Sequence, residues 1–389
     1  MKIMHVTPYF HPAYAYGGIV RFVSDLAFQQ SREGHDVFVF TTDVLDESSR
    51  CPQHQREETI DNIRIFRSLN VSNFLAYNCQ FYTPLKLRQV LTLIPEVDLV
   101  HIHGCRHLLG SVASRKAWTA GVPYLMSPNG SFPAIERFFR VKRLYDLLLF
   151  DWEVKHAAAV TAVSKPEIEQ FKDQNVSEQK IHLIPNCLDV TALSENTDLD
   201  HIPTAPADKK RKKILFLGKI TPRKEVPTLV RAIILLDSDD LKLTIAGNFI
   251  GGQKEVAAAL SRSGRSRIQC QGFRDLKEKI TLIREADLVV YAGRDEIFGL
   301  VAFESLLLGT PVIVADDSGC GQLIAGNGFG RAVPPGDDQA LAQAISEELE
   351  RDHSRELSKA QEWIKNHLDV PVVSDQFRIL YRQIMESRP

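Results

Sequence analysis

The chain has 389 residues, of which 44% are hydrophobic, and its formal net charge is -2. This length is typical of two domains rather than one, and the apolar fraction is typical of a globular protein. The near-neutral charge argues against general nucleic-acid binding, which requires a basic face, but it allows a local site for a small anion.

The cysteines and the N-terminus indicate the compartment. Six cysteines are scattered at positions 51, 79, 105, 187, 270 and 320 without a C-x-x-C pair, so neither a disulfide framework nor a zinc pattern is indicated. The start, MKIMHVTPYF, is too β-like for a signal peptide, and no window reaches the about eighteen apolar residues of a membrane span. We expect a soluble cytoplasmic protein that can still lie at the inner face of a membrane.

The first half of the chain alternates strands with helical segments. Strands are predicted in KIMHVT, HDVFVFTTD, IRIFRSL, VDLVHIHG, VPYLMSPNG and AAAVTAVS, and a helix in IVRFVSDLAFQQSREG. This alternation predicts a parallel sheet covered on both faces, so residues 1–195 are predicted to form a Rossmann-like domain.

The pattern weakens over SENTDLDHIPTAPADKKRKK, and residues 196–212 are interpreted as a linker whose basic run is either solvated or an anion patch. It restarts with KILFLGKI, PTLVRAIILL, LKLTIAG, RIQCQGF, ADLVVYAG, TPVIVADD and GRAVPP. Residues 213–370 are predicted to form a second Rossmann-like domain, and 371–389 a final helix that crosses back to the first. Two such sheets facing a central cleft would bind a ligand outside the carboxyl ends of their strands.

One stretch of the second half, GRDEIFGLVAFESLLLGTPVIV, predicts an anion site. Its loop follows the strand ADLVVYAG, and a helix is predicted from Phe298 or Gly299 to about Leu308. The free N–H groups at Gly299 and Leu300 can bind a phosphate or diphosphate, and the glycine lets the ligand approach the backbone closely.

The same stretch carries two glutamates, Glu296 and Glu304, eight positions apart. A diphosphate at the helix tip would have one carboxylate on either side, which is suited to a sugar and a ribose. The alternative is a capping Glu296 and a solvated Glu304. The segment FLGKITPRKEV supplies the cations Lys219, Arg223 and Lys224 after another strand, which favours the diphosphate site over solvated side chains.

These residues resemble glycosyltransferase family 4, whose members have the two-domain GT-B fold and retain the anomeric configuration of the sugar. The family's E-x7-E pattern matches Glu296 to Glu304, with IFGLVAFE between them and LLLGTPVI behind. The resemblance implies that Glu296 contacts the donor sugar and that Glu304 binds the ribose. It also implies that the backbone of Phe298, Gly299 and Leu300 meets the sugar and the phosphates.

The cationic loop resembles the phosphate clamp of the family through Gly218, Lys219 and Lys224. Lys219 stands where arginine is commoner, and Glu225 replaces the usual glycine, which bears on donor preference more than on the fold. The segment LTIAGN resembles the nucleotide-side glycine turn, at Gly247.

The first half adds two elements of the resemblance. AYGGIVRFVSDLA resembles the glycine-rich loop, in which Gly17 and Gly18 open a helix whose N-terminus can face the diphosphate. VDLVHIHG matches the D-x-x-H-x-H element, which implies that His103 is the active-site histidine near the donor sugar. Without the resemblance, a packed structural histidine is favoured. His101 is interpreted as alternating to the other side of the strand, in a structural role.

The acceptor side is read from two further segments. SPNGSF matches an acceptor-side loop with Asn129 and Gly130. ERFFRVKRLYDLLLFDWEVKH interleaves basic and apolar residues at helical spacing, either to touch an anionic membrane near a lipid-linked acceptor or to bury its apolar face in a core. The predicted membrane contacts are Arg137, Arg140, Lys142 and Arg143.

The resemblance implies a metal-independent hexosyltransferase that moves a sugar from a UDP- or GDP-sugar to a hydroxyl of a glycan or lipid-linked glycan, in envelope or exopolysaccharide synthesis. Its predicted catalytic residues are His103, Glu296 and Lys224, with no cofactor. A metal at the DSD segment, 237–239, is the weaker alternative, because it lies at the amino end of its strand. A sugar-nucleotide epimerase of the same fold and a non-catalytic nucleotide-sugar-binding protein also compete. A dehydrogenase would need a G-x-G-x-x-G after a first strand, which neither half has.

Overall fold

The computed structural model describes residues 1–132, 139–195, 211–261 and 267–387. The chain forms two compact units, one of Met1–Cys187 with Val370–Pro389 and one of Leu188–Asp369. The domain limits drawn from the sequence stay predictions, and most of the predicted linker lies outside the described residues.

The first unit is built on a sheet of nine strands among the described residues. They are β1 (Lys2–Val6), β2 (Asp36–Thr42), β3 (Glu57–Ile60), β4 (Ile63–Asn70), β5 (Pro84–Leu85), β6 (Leu99–His103), β7 (Tyr124–Ser127), β8 (Ala159–Ala162) and β9 (Ile181–Leu183). The order is β3-β4-β2-β1-β6-β7-β8-β9, and β5 pairs with β4. All pairs are parallel except those of β3 and β5 with β4, which confirms the predicted parallel sheet. The sequence did not reveal β3, β5 and β9, because these short strands are partly exposed and lack an apolar run.

Helices cover the first sheet. They are α1 (Gly18–Arg32), α2 (Asn73–Cys79), α3 (Arg88–Leu93), α4 (Leu108–Thr119), α5 (Phe139–Tyr145), a π-helical turn (Asp146–Phe150), α6 (Asp151–His156), α7 (Lys165–Asp173) and the C-terminal helix (Val370–Glu386). The C-terminal helix buries Val373, Phe377, Leu380 and Ile384 at helical spacing. These side chains share one apolar core with those of α1 and the central strands, so the end of the chain is part of the first unit.

The second unit has a parallel sheet of six strands among the described residues. They are β10 (Lys212–Leu217), β11 (Leu241–Ala246), β12 (Ile268–Gln271), β13 (Leu288–Tyr291), β14 (Val312–Ala315) and β15 (Arg331–Val333), in the order β12-β11-β10-β13-β14-β15. The helices are α8 (Val190–Glu195), α9 (Val226–Leu236), α10 (Gln253–Leu260), α11 (Leu276–Glu285), α12 (Leu300–Leu307), α13 (Gly319–Gly326), α14 (Asp338–Glu350) and α15 (Ser354–His367). In the ranges that the structure describes, no helix has the length and apolarity needed to cross a membrane.

Candidate functional site

Both sheets contain a point where the strand order reverses, and the predicted catalytic and donor-binding residues follow the strands that meet there. In the second unit β10 lies beside β11 on one side and β13 on the other, so the chain leaves these neighbouring strands in opposite directions. In the first unit β1 lies in the same way between β2 and β6. A crevice opens at such a switch point outside the carboxyl ends of the strands, which is where open α/β sheets bind ligands.

The glycine turns of the second unit bring two strand ends into close contact. Gly218 follows β10, Gly247 follows β11, and each has a φ of 143°. A Cβ atom on Gly247 would lie 1.9 Å from the carbonyl oxygen of Gly218, so no larger residue fits there without moving the backbone. These predicted donor-binding glycines therefore shape the floor of the crevice.

Helix α12 begins at the other side of this crevice, after Gly299. The predicted helix is confirmed, since it runs from Leu300 to Leu307. Gly299 has a φ of 68°, and a Cβ atom there would lie 2.6 Å from the sulfur of Cys320. Phe298 packs on Phe303 with its ring centroid 5.0 Å away, so its side chain is buried, and a ligand contact through its backbone stays a prediction.

Glu296 is joined to the cationic loop by a partly buried ion pair. The ammonium group of Lys224 contacts both the carboxylate of Glu296 and the hydroxyl of Tyr291, and it lies 4.2 Å from the centroid of that ring. Burial lowers the pKa of Lys224, but the nearby Glu296 and Tyr291 raise it more, so its pKa lies above the ordinary value. Lys224 is therefore a fixed positive charge at the crevice.

The other predicted cations of the loop have different surroundings. Burial and the charge of Lys224 lower the pKa of Lys219 to about 8. An anion near both ammonium groups would relieve this repulsion. Arg223 donates to the backbone oxygen of Asp295 at 3.3 Å, and its own carbonyl accepts from the backbone N–H of Arg294 at 2.8 Å. Arg223 thus ties the cationic loop to the segment that carries Glu296.

Glu225, which stands where the resemblance leads us to expect glycine, takes a left-handed conformation. Its φ is 52°, and its carboxylate accepts from Arg294 at 2.5 Å and from Thr228 at 2.7 Å. The backbone here has the conformation that favours glycine, and these contacts hold a glutamate in it.

Glu304 lies inside α12 with only 2% of its surface exposed, so it is not the solvated residue of the alternative interpretation. Its Oε1 atom lies 2.6 Å from the ammonium nitrogen of Lys279, a residue of α11. Its Oε2 atom is buried and has no hydrogen-bond partner in the described part of the protein. A carboxylate oxygen in that position can accept a hydrogen bond from a ligand hydroxyl.

The first unit holds uncharged histidines at the carboxyl end of β6. His5 Nδ1 lies 2.8 Å from His103 Nε2, and His5 Nε2 lies 2.8 Å from Gln30 Oε1. Gln30 Nε2 is 3.3 Å from the hydroxyl of Tyr381. Burial lowers the pKa of His5 to about 4 and holds the pKa of His103 well below its ordinary value. The rings are therefore neutral near pH 7, and hydrogen bonds rather than charges order them.

His101 lies on the same face of β6 as His103, so the prediction that it alternates to the other side was wrong. Residues two apart in a strand point to the same face, and the two ring centroids are 3.8 Å apart. His101 Nδ1 is 2.7 Å from the hydroxyl of Tyr381, and its Nε2 is 2.6 Å from Ser127 Oγ. We call His5, His101 and His103 the histidine cluster.

The remaining predicted residues of the first unit shape its loops. Gly17, with a φ of 95°, precedes α1, which starts at Gly18 as predicted. Asn129 has a φ of 53° and donates to the backbone of Ser127 at 3.0 Å. The N–H group of Gly130 donates to Glu167 at 2.8 Å. Both of these hydrogen bonds are made within the protein. An acceptor-binding role for Asn129 and Gly130 stays a prediction.

The basic and apolar segment is largely exposed where it is described. Arg137 lies outside the described residues, and Arg140 is exposed on α5. Four apolar side chains are between 56% and 74% exposed, whereas Phe150 and Val154 of the same segment are buried in the apolar core of the first unit, so the segment has both an exposed and a buried apolar face. The four exposed side chains are Val141, Leu144, Leu147 and Leu148.

Two groups of side chains have the residue types of metal ligands. Asp237 and Asp239 of the DSD segment lie 3.4 and 3.8 Å from Arg267 at the amino end of β11, away from the crevice. Within the described ranges, the histidine cluster places one nitrogen of each ring within 4.8 Å of the others, which suits a metal ion. Its nitrogens, however, bond mainly to one another and to neighbouring side chains, so the arrangement is that of a hydrogen-bonded network.

Sequence reasoning missed several polar residues that complete these arrangements. Two of them could have been found from the sequence. His5 is a polar residue within the apolar strand β1, and it pairs in register with His101. Tyr291 is a polar residue that ends a strand at the crevice. Lys279, Gln30 and Tyr381 lie in amphipathic helices, where a polar residue carries no local signal.

Comparisons with known proteins identify the family of the chain. The model for glycosyl transferases group 1 matches residues 200–367, and the model for glycosyltransferase family 4 matches residues 16–192. An uncharacterised glycosyltransferase of Methanocaldococcus jannaschii is 25% identical over 370 residues, which cover 90% of this chain and 89% of the relative.

Two further similarities extend over nearly the whole chain. The GDP-mannose:cellobiosyl-diphosphopolyprenol alpha-mannosyltransferase of Xanthomonas campestris is 25% identical over 353 residues, or 89% of this chain and 86% of the relative. Among solved structures, Anabaena HepE in complex with UDP-glucose superimposes with a TM-score of 0.76 at 19% identity, covering 98% of this chain and all of that one. The two family models span most of the chain between them, and the chain therefore belongs to glycosyltransferase family 4 and has its GT-B fold.

Proposed function

We propose that the protein is a retaining hexosyltransferase that uses a UDP- or GDP-sugar. The observation that best supports this proposal is the presence of two Lys–Glu contacts at the crevice of the second unit, Lys224 with Glu296 and Lys279 with Glu304. Each pair leaves a carboxylate that can accept from ligand hydroxyls beside the N-terminus of α12. A nucleoside-diphosphate sugar carries hydroxyls at both ends of its diphosphate, which is the pattern that these two carboxylates fit.

The proposed chemistry is stabilisation of the leaving group. As the bond between the sugar carbon and the phosphate oxygen breaks, negative charge grows on the nucleoside diphosphate. Lys219, Lys224 and the first N–H groups of α12 would hold that charge, while the leaving phosphate helps to remove the proton of the attacking hydroxyl. Because these cations can carry the charge, we propose that the reaction needs no metal ion.

The sugar is proposed to lie against Glu296. A role for His103 in the reaction stays a prediction from the resemblance. Glu304 would bind the ribose through its unpaired Oε2 atom. Two names among the similar proteins suggest the first donors to test: GDP-mannose, from the Xanthomonas campestris relative, and UDP-glucose, from the Anabaena structure.

The direct test incubates the purified protein with GDP-mannose or UDP-glucose and a panel of glycan and polyprenol-linked acceptors. Proton NMR of the product then gives the anomeric configuration. We expect release of the nucleoside diphosphate and a product that retains the anomeric configuration of the donor. The rate of transfer should be the same with and without EDTA. An inverted product would contradict retention, and a rate that EDTA abolishes would contradict metal independence. Binding without turnover would favour the non-catalytic alternative.

We also propose that the acceptor is lipid-linked and that α5 and the π-helical turn touch an anionic membrane. Exposed Leu147 and Leu148 follow the basic residues Arg140 and Arg143 within the same short helical segment, a composition typical of interfacial helices. The name of the Xanthomonas campestris relative specifies a polyprenol diphosphate acceptor, which supports this source of substrate.

Vesicle sedimentation tests the membrane surface. Wild type should bind vesicles with phosphatidylglycerol more tightly than vesicles of phosphatidylcholine alone, and the double variant Leu147→Ser, Leu148→Ser should lose most of that binding. The exposed residues Leu235 and Ile379, changed to Ser, give a matched control elsewhere on the chain. Equal binding by the double variant and the control would remove the surface from the proposal.

A further inference from the structure

The hydrogen bonds of the histidine cluster determine which nitrogen of His103 carries the proton. Gln30 Nε2 donates to the Tyr381 hydroxyl at 3.3 Å, and Gln30 Oε1 accepts from His5 Nε2 at 2.8 Å. The proton of neutral His5 is therefore on Nε2, and His5 Nδ1 is an acceptor. His103 Nε2, 2.8 Å from that acceptor, must donate to it.

His103 Nδ1 is consequently a bare acceptor. It is buried and has no hydrogen-bond partner within the ranges that the structure describes. Burial keeps the pKa of His103 well below its ordinary value, so Nδ1 does not gain a proton near neutral pH. An unpaired buried acceptor costs free energy, which a ligand that donates a hydrogen bond would recover.

We propose that Gln30 is a positioning residue that, acting through His5, fixes His103 as a hydrogen-bond acceptor and so selects a hydroxyl group as its ligand. A phosphate oxygen has no proton to donate at neutral pH and is disfavoured at this nitrogen. The inference rests on the proposed function for the identity of the hydroxyl, which would belong to a sugar substrate. The assignment of the His103 tautomer does not depend on the proposed function.

Tyr381 supports the same arrangement from the C-terminal helix. Its hydroxyl accepts from Gln30 and can donate to His101 Nδ1 at 2.7 Å, which favours this orientation of the Gln30 amide. A turned amide would place a donor against His5 Nε2 and reverse each proton along the chain, so that His103 Nδ1 would become a donor. The acceptor at His103 thus depends on residues from α1, β1 and the C-terminal helix.

The test is the tautomer itself, read by two-bond proton–nitrogen NMR correlations in full-length protein labelled with 15N-histidine. Wild type should show His103 protonated on Nε2. Gln30→Glu, which can only accept from His5, should preserve that tautomer, whereas Gln30→Met and Tyr381→Phe should populate both. A proton on His103 Nδ1 in wild type, or a change of tautomer in Gln30→Glu, would overturn the proposal.

Calorimetric titration with UDP-glucose and with UDP adds a functional readout. Gln30→Met should lose about tenfold in affinity for UDP-glucose, as expected for one hydrogen bond, and nothing for UDP, while Gln30→Glu should restore the wild-type preference. Equal losses for both ligands would assign Gln30 a merely structural role. If neither ligand binds to wild type, the proposed donor is wrong, and the NMR result still decides the tautomer.

Discussion

The two units place their polar side chains at equivalent switch points but use opposite electrostatics. In the second unit the crevice holds charged pairs, with Lys224 on Glu296 and Lys279 on Glu304. In the first unit the histidine cluster is neutral, because burial lowers the pKa of each ring. The second unit is thus suited to the charged part of a nucleotide sugar and the first to uncharged hydroxyls.

This contrast predicts how strongly each unit contributes to the reaction. Charge that develops on a leaving diphosphate is stabilised by fixed cations more than by neutral hydrogen bonds. A hydrogen bond to a neutral hydroxyl changes binding by a smaller amount, and it discriminates ligands by which group donates.

The largest effect is expected for Lys224→Met, which removes the fixed charge and leaves Glu296 unpaired. Turnover of the donor should fall by about a hundredfold or more, measured as release of nucleoside diphosphate. The exposed pair Lys213–Glu285, 3.1 Å apart, supplies the control, and Lys213→Met should keep wild-type activity. Activity of Lys224→Met within threefold of that control would contradict the role of the charge.

A smaller loss is expected for His103→Ala. Removing one neutral hydrogen-bond acceptor should lower kcat/KM about tenfold, which corresponds to roughly 1.4 kcal/mol. The control is His182→Ala, a half-buried histidine of β9. A loss as large as that of Lys224→Met would erase the distinction between the two units.

The neutral character of the first unit extends to a buried carboxyl group. Burial raises the pKa of Glu153 to about 7, although its hydrogen bond from Ser111 acts in the opposite direction. A raised pKa in the folded state means that protonation of Glu153 stabilises the folded protein. This contribution to the free energy of unfolding is complete below about pH 4.5 and is lost as the pH rises through 7.

Unfolding by urea across that range checks this behaviour against Glu153→Gln. Relative to that variant, wild type should lose up to about 1.4 kcal/mol of unfolding free energy per pH unit. The exposed Glu255→Gln serves as control. A difference between wild type and Glu153→Gln that stays constant from pH 4.5 to 7.5 would show that Glu153 is ionised in the folded protein.

The smallest effect is expected at the edge of the charged crevice, for Glu225→Gly. Glycine relieves the left-handed conformation by about 1 kcal/mol, and loss of the pair with half-exposed Arg294 costs a similar amount. The net change in unfolding free energy should therefore be under about 1 kcal/mol, whereas Glu225→Ala should destabilise more. A Glu225→Gly variant less stable than Glu225→Ala would mean that the backbone is not strained.

Much of the crevice of the second unit was predictable from sequence because its residues fall in a few short segments, each directly after an apolar strand. Strands β10, β13 and β14 are apolar runs, and the loop and helix from Glu296 to Glu304 form one segment that resembles a family motif. The signals there are local: a strand end, a glycine and a helix start within a few residues. The parallel sheets were predicted from the alternation of strands and helices along the chain. Only the short, partly exposed edge strands were not predicted.

The histidine cluster could not be predicted in the same way. Its members and partners come from β1, α1, β6 and the C-terminal helix, and Gln30 and Tyr381 are 351 positions apart. Only the sheet order brings β1 beside β6, and only the packing of the C-terminal helix on α1 brings Tyr381 to Gln30. Lys279 is missed for the same reason, because helix α11 must pack before it can meet Glu304.

The most direct test of the account measures thermal stabilisation by UDP, GDP and ADP in wild type, Glu304→Gln and the exposed control Glu285→Gln. A nucleotide at a hundred times its dissociation constant should add about 2.7 kcal/mol to the free energy of unfolding. We expect UDP or GDP to stabilise the wild-type protein and the Glu285→Gln control but not the Glu304→Gln variant. No stabilisation of wild type by any of the three nucleotides, or equal stabilisation of Glu304→Gln, would contradict the donor site.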